Sequence, residues 1–306
     1  MSKEQLLPFD YKQLQALDVV VREQNFERAA RRLNLTQSAV SQRIKLLEQA
    51  VAQPLLLRTT PPTPTPLGQQ LLSHYRQVSQ LERELLPQLR VEAPQMPLRV
   101  SMAVNADSLA TWFLPALAPL LAQHPIELDL RIEDETRTLE RLRQGEVFGA
   151  VSTQATPLSG CHASLLGRME YALVCSPSFA DHYFASGLTL DNLQRAPGVA
   201  FDQRDDMHIT YMQEPFSLQP GGYPCHTVRS SEAFIALACA GVAYCLIPRL
   251  QIAQELASGA LLVLGSPPLY RQLYWHRWVL ERGLHQKISQ AILQHGQQCL
   301  LPVVAP

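Results

Sequence analysis

Residues 26–48 read FERAARRLNLTQSAVSQRIKLLE, from Phe26 to Glu48. Two helical patterns meet there across a short polar turn. Asn25 is placed to cap the first, with Phe26, Ala29, Ala30 and Leu33 on its inner face. Thr36 is placed to cap the second, in which Val40, Ile44 and Leu47 recur at four and three. Alanines on the first helix let the two approach closely. Gln37, Ser38, Ser41, Gln42 and Lys45 form the outer face of the second helix, with Arg43 toward its flank. These are mostly short hydroxyls and amides. Such side chains reach base edges without holding the helix away from a duplex, and glutamine pairs well with adenine. Arg31, Arg32, Arg43 and Lys45 can meet phosphates. The segment therefore predicts a helix-turn-helix whose second helix enters a DNA groove.

Working outward, residues 12–23 place Leu14, Leu17, Val20 and Val21 on one face of a preceding helix. Downstream, Leu55 to Leu57 read as a short strand. Pro61, Pro62, Pro64 and Pro66 favour an extended arm. Arg58 and Thr59 at its edge are candidate phosphate contacts, an arrangement like the wing of a winged helix. Then Leu67, Leu71, Tyr75, Val78, Leu81, Leu85 and Leu89 recur at helical spacing, predicting a long amphipathic helix ended near Pro94. Its economical partner is a second copy of the chain, although packing onto its own domain would also bury the stripe.

From Leu98 the pattern changes to strands alternating with helices, which indicates a parallel sheet with covered faces. LRVSMAV, IELDLRIED and VFGAVS read as strands of a first series; MEYALVCSP, PGVAFD and the later strands form a second, suggesting two similar lobes. Ligands in such folds sit at strand ends, beside helix starts. Polar clusters fall there: Asn105, Ala106, Asp107 and Ser108; Glu133 and Glu135; Ser152; Asp202 and Asp205; Ser230 and Ser231. Helix starts favour a carboxylate, and the acids favour ammonium or guanidinium. An amino acid with a cationic side chain satisfies both demands. Helix capping by solvated acids is the competing explanation for each residue taken singly.

The chain has 306 residues, 46% apolar, and net charge -1. Residues 1–95 hold 12 Lys/Arg and 9 Asp/Glu, whereas residues 96–306 hold 14 and 18, so the groove-entering end is the positive one. No run reaches the roughly 18 apolar residues of a membrane span, and the first residues lack a signal peptide's apolar run, so a cytoplasmic protein with no membrane partner is expected. The six cysteines are scattered without a C-x2-C pair, and no phosphate loop, dinucleotide fingerprint or nucleophile elbow occurs. Neither a metal, a cofactor nor a catalytic group is expected. Trp112, Trp275 and Trp278 read as packing residues.

These stretches resemble the LysR-type transcriptional regulators. FERAARRLNLTQSAVSQRIKLLEQAVAQPLLLR is similar to their recognition segment, and P-TPLGQQLL to the end of the wing and the start of the linker helix. The likeness implies a winged helix-turn-helix over 8–66, a linker helix over 67–94, and a two-lobed periplasmic-binding-protein-like α/β domain over 95–306. Its first lobe would take about 95–164 and 269–306, its second about 165–268, joined by two crossover strands. NADSLATWFLPALAP, VAFDQRDDMH and PCHTVRSSEAFIALA resemble the branch that senses lysine or arginine and controls basic amino acid export. This implies DNA contacts from Ser38, Ser41 and Arg43, and effector contacts from Ser108, Glu133, Asp202 and Ser231. It also implies an activator that binds L-lysine or L-arginine and works on double-stranded promoter DNA as a homodimer or homotetramer, with RNA polymerase as partner. TTPPTPT departs from the family by lacking a second arginine after Arg58. A regulator with another effector, a solute-binding protein built on the two-lobed half, and a DNA architectural protein are the alternatives.

Overall fold

The computed structural model describes residues 9–57, 59–89, 97–134, 137–202, 205–219, 221–265 and 267–303. Two compact units emerge: residues 1–98 with 140–148, and residues 99–139 with 149–306.

In the first unit, α1 (Tyr11–Glu23), α2 (Phe26–Leu33) and α3 (Gln37–Val51) follow the capping signals. Asn25 accepts from the backbone N–H groups of Glu27 and Arg28, at 2.8 and 3.0 Å. Asn34 ends α2 in the left-handed region (φ 53°), which asparagine tolerates. Two residues later, Thr36 caps α3 by accepting from Ala39 N at 3.1 Å. The turn is therefore only as long as one cap followed by the next. Leu14, Leu17 and Val20 of α1 share one core with Ala29 and Ala30 of α2 and with Val40, Ile44 and Leu47 of α3. Fully burying a leucine contributes on the order of 1.5–3 kcal/mol, which fixes the outward face of α3 by elimination.

The arm is a hairpin: β1 (Leu56–Leu57) pairs antiparallel with β2 (Thr63–Pro64). The Glu48 carboxylate accepts from Leu55 N at 2.8 Å and so ties α3 to the base of this wing. Helix α4 (Pro66–Leu89) starts at Pro66, which the sequence assigned to the arm; a proline at the first helical position loses no hydrogen bond. Thr65 caps it, accepting from Gly68 N at 3.1 Å. Gly68 is required there, since a Cβ would stand 2.1 Å from the Leu55 carbonyl oxygen. The predicted stripe divides. Leu71 and Leu72 are buried in the helix-turn-helix core, with Leu67 and Tyr75 packed on it, whereas Leu85 is 51% exposed. Inside the same unit, Asp18 of α1 and Arg76 of α4 form an ion pair at 2.6 Å, each side chain only 6% exposed. Arg76 also donates to the Gln144 carbonyl at 2.6 Å.

The second unit is built on a nine-stranded sheet, with strand order β4-β3-β5-β11-β6-β9-β7-β8 and β10 pairing with β6. The strands are β3 (Leu98–Val104), β4 (Ile126–Ile132), β5 (Gly149–Ser152), β6 (Cys161–Cys175), β7 (Gly198–Ala200), β8 (Cys225–Thr227), β9 (Tyr244–Pro248), β10 (Leu262–Val263) and β11 (Leu269–Trp278). The expected all-parallel sheet is corrected to a mixed one. β3–β5, β7–β8 and β7–β9 are parallel, while the long β6 and β11 run antiparallel to their neighbours and join the two halves. Helical residues follow β3 as α5 (Ala106–Ser108), a π turn (Leu109–Phe113) and α6 (Leu114–Gln123). After β4 comes α7 (Thr138–Arg143); α8 (Pro177–Tyr183), α9 (Leu190–Arg195), α10 (Asp206–Phe216), α11 (Ser231–Cys239) and α12 (Ala253–Ser258) serve the other half. A closing helix α13 (Gly283–Cys299), absent from the sequence reading, packs on α6 and β6. Trp112, Trp275 and Trp278 are buried, and Trp275 donates to Ser289 at 2.9 Å, as packing residues do.

Candidate functional site

The outer face of α3 is formed as its sequence dictates. Gln37, Ser38, Ser41, Gln42 and Lys45 are exposed on one side of the helix, and Arg43 is half-buried at its flank. Thr36 sits at the helix start with its hydroxyl oxygen engaged by the cap. Thr59 lies in the wing and donates to the Pro61 carbonyl at 2.8 Å, so its proton serves the hairpin tip. Arg58 lies outside the described residues.

A partly open cavity in the second unit is lined by Asn105, Ala106, Asp107, Glu133, Asp134, Phe201, Asp205, Met207, Ser231, Phe234 and Leu246, with about 420 Å³ of space when its open mouth is included. It collects residues from the ends of β3, β4 and β7 and the starts of α5, α10 and α11. Four of its lining residues are carboxylates and none is Lys, Arg or His. Asn105 is 3% exposed, and neither atom of its amide finds a partner among the described residues. A buried, unsatisfied amide costs about 1–3 kcal/mol, which a polar ligand in the cavity would recover. Ser108, just behind the cavity, is fully buried with its hydroxyl likewise unpartnered among the described residues.

Asp107 is the most constrained acid. Tyr171 donates to it at 2.8 Å, and Ser231 Oγ lies 2.7 Å from its other oxygen. Burial pushes its pKa up; the hydrogen bonds from Ser231 and Tyr171 pull the other way, and the charges of Asp205 and Asp134 push further up. Ser231 Oγ also lies 2.7 Å from Gln251 Oε1. One hydroxyl proton cannot serve two acceptors, so either Asp107 carries a proton or the Gln251 amide is turned. Asp205 caps α10, accepting from His208 N at 3.0 Å and from Phe201 N at 2.9 Å. Ser230 caps α11, accepting from Ala233 N at 3.2 Å.

Other predicted residues stand off the wall, Ser230 and Ser108 among them. Ser152 is buried at the end of β5 and accepts from Gln154 N, outside the cavity wall. Asp202 also lies off the wall: its Oδ2 takes Arg137 Nη2 at 3.0 Å and Arg229 Nη2 at 3.2 Å. Its expected cationic partner is therefore supplied by the chain itself. Glu135 lies outside the described residues. Sequence reasoning missed Asp134, Met207, Phe234 and Leu246 on the wall and Tyr171 behind it. Asp134 follows Glu133 directly, and both lie just past the end of β4, where strand alternation does not apply and neighbours can face one cavity. Among the described residues no His/Cys/Asp/Glu group is arranged to hold a metal, and no helix is long and apolar enough to cross a membrane.

A helix face shaped for a groove and a partly open acidic cavity on a mixed sheet define a DNA-binding protein equipped to sense a small molecule. Residues 11–69 match the model for the bacterial regulatory helix-turn-helix protein, LysR family, and residues 83–295 match the LysR substrate binding domain. The chain belongs to the LysR family and is a DNA-binding transcriptional regulator rather than an enzyme. It is 63% identical over 294 residues to the HTH-type transcriptional regulator ArgP of Aeromonas salmonicida, covering 96% of this chain and 98% of that one. Its fold is similar to the crystal structure of ArgP from Mycobacterium tuberculosis, with TM-score 0.86, 34% identity, and coverage of 97% of this chain and 100% of that one. It is also similar to full-length LysG from Corynebacterium glutamicum, solved with its effector Arg bound: TM-score 0.80, 32% identity, coverage 96% and 100%.

Proposed function

We propose that this regulator responds to L-lysine or L-arginine and activates genes for basic amino acid export or related metabolism. The observation that carries the reading is the cavity wall: Asp107, Glu133, Asp134 and Asp205 with no basic side chain, beside the unsatisfied amide of Asn105. Such a wall favours a cation and disfavours a neutral or acidic amino acid. The Arg-bound LysG structure supports the choice of ligand.

In this scheme residues 8–66 read promoter DNA in the cytoplasm. Residues 67–94 pair two copies through the part of α4 beyond its own core, where Leu85 is exposed, and pairs of dimers form the tetramer. Residues 95–306 sense the effector. Ser38, Ser41 and Gln42 read bases, while Arg43, Lys45 and the wing meet phosphate. Effector binding shifts the balance between two arrangements of the assembly, and with it the contact to RNA polymerase, provided that the effector binds them unequally. Calorimetry of the purified chain against the common amino acids tests the ligand: heat from lysine or arginine alone is expected, and equal binding of glutamate or leucine would overturn the assignment. A gel shift at fixed salt, comparing an exporter promoter with random DNA, tests the reader.

A further inference from the structure

Resting on the effector reading above, one question remains open chemically: where the ligand's own carboxylate goes. A basic amino acid brings two cationic groups and one anion. The cavity wall offers four carboxylates, so the anion is repelled from it. Helix starts are the usual refuge, yet α10 and α11 already spend first-turn N–H groups on Asp205 and Ser230. The start of α5 has no side-chain cap, but the buried carboxyl of Asp107 stands in its first turn and opposes a second anion.

Cations stand outside the lining instead, and the Arg137 backbone N–H donates to the carbonyl of Asp134 on the wall at 2.8 Å. Arg137 follows Asp134 by three residues and lies within electrostatic reach of both Glu133 and Asp134, the cavity's acids after β4. Its guanidinium is partly exposed and spends only Nη2, on Asp202, among the described residues. Nε and Nη1 are left over, which with Nη2 make the fork that grips a carboxylate. Arg229, 72% exposed, sits on the same Asp202 oxygen. The two arginines arrive from strands at opposite ends of the sheet, β4 and β8, and both meet the carboxylate that follows β7. Two guanidiniums share one carboxylate oxygen, one residue beyond Phe201 of the cavity wall. The polarity matches a basic amino acid oriented with its side chain inward.

We infer that Arg137 is the clamp for the effector's α-carboxylate, exchanging its hydrogen bond to Asp202 for one to the ligand. Asp202 then acts as a competitor for the clamp instead of a seat for the ligand's cation. Specificity divides accordingly: the acid wall selects the cationic side chain, and Arg137 demands an intact amino acid.

The test is calorimetry with L-arginine and with agmatine, which is arginine without its carboxylate, on wild type, Arg137→Gln, Arg137→Lys and Asp202→Asn. A charge-assisted, forked hydrogen bond corresponds to roughly 10- to 100-fold in affinity. Wild type should prefer arginine over agmatine by that factor. Arg137→Gln should erase the preference by losing arginine affinity, Arg137→Lys should recover part of it, and Asp202→Asn should raise arginine affinity. Three outcomes overturn the clamp: no preference in wild type, arginine affinity unchanged in Arg137→Gln, or equal loss of arginine and agmatine in that variant. Wild type binding neither lysine nor arginine is a different failure; it removes the effector reading itself, and the clamp with it.

Discussion

Replacing Arg76 by methionine should loosen α1 far more than a surface mutation would. Arg76 and Asp18 meet at 2.6 Å with each side chain 6% exposed, so methionine keeps most of the volume and leaves a buried carboxylate behind. Removing one member of a buried pair costs about 3–5 kcal/mol. Asp18 keeps a second partner, Arg22 at 3.0 Å, but that guanidinium is 53% exposed, and such pairs offset only about 0.2–1 kcal/mol. A net loss of about 2–4 kcal/mol corresponds to roughly 30- to 900-fold in an opening equilibrium. Hydrogen exchange on the full-length chain reads this directly: amides of α1 should exchange faster by that factor, while those of β6 and β11 stay unchanged. Replacing both partners, Asp18→Leu with Arg76→Met, should recover most of the protection, because no lone charge remains. Exchange in α1 altered less than threefold by Arg76→Met alone would refute the argument.

Other expectations follow from the same geometry. Ser38→Arg puts a long side chain on the exposed face of α3 and should abolish selective operator binding in a gel shift with the circular dichroism spectrum unchanged; wild-type retardation would remove Ser38 from the groove. Lys45→Ala should weaken binding to specific and random DNA alike and lower the log–log salt slope by about 0.9 for each protomer on the DNA, about 1.8 for a dimer; an unchanged slope would argue against that contact. Asp107→Asn should reduce affinity for a basic effector by about tenfold or more in calorimetry. It should also alter the pH profile of stability. A carboxyl whose folded pKa is raised binds its proton more tightly in the folded chain, so its stabilisation is fully present below its unfolded pKa and is lost as pH rises through the folded pKa. Thermal unfolding from pH 4 to 8 should therefore show wild type losing ground to Asp107→Asn as pH increases, and parallel curves would contradict the burial argument.

What was legible in the chain was local. Asn25 and Thr36 announce two helix starts because a cap bonds within three residues, and both bonds are present. The alternating elements after Leu98 placed Asn105, Asp107, Glu133, Asp205 and Ser231 at strand ends, and the fold gathers them around one cavity. What was illegible depends on distant partners. Arg137 and Arg229 reach Asp202 across 65 and 27 residues, so its occupied carboxylate could not be read from the acid cluster around it. The burial of Asp18 on α1 depends on Arg76, 58 residues away, which the local pattern of residues 12–23 does not reveal. The stripe on α4 looked uniform, yet its first turns belong to the helix-turn-helix core. Helix α13 escaped because its start has no capping side chain and Gly296 interrupts its propensity; that glycine is needed for contact, since a Cβ would stand 2.9 Å from Leu166 and 3.2 Å from Trp112.

Gly68 makes α4 a lever with its fulcrum at the wing. The helix has 24 residues, so at 1.5 Å each it is about 36 Å long, and Gly68 stands in its first turn against the Leu55 carbonyl. A methyl group there would have to gain roughly 1 Å of clearance from a backbone oxygen. Taken up as tilt over the first turn, about 5 Å long, that is on the order of 10°, or roughly 6 Å at Leu89. A DNA duplex tolerates little such error, because successive half-sites recur at a fixed spacing of about 34 Å along one face. In the proposed dimer paired through α4, the smallest side chain in the junction would thereby set the calliper width with which the pair spans its operator.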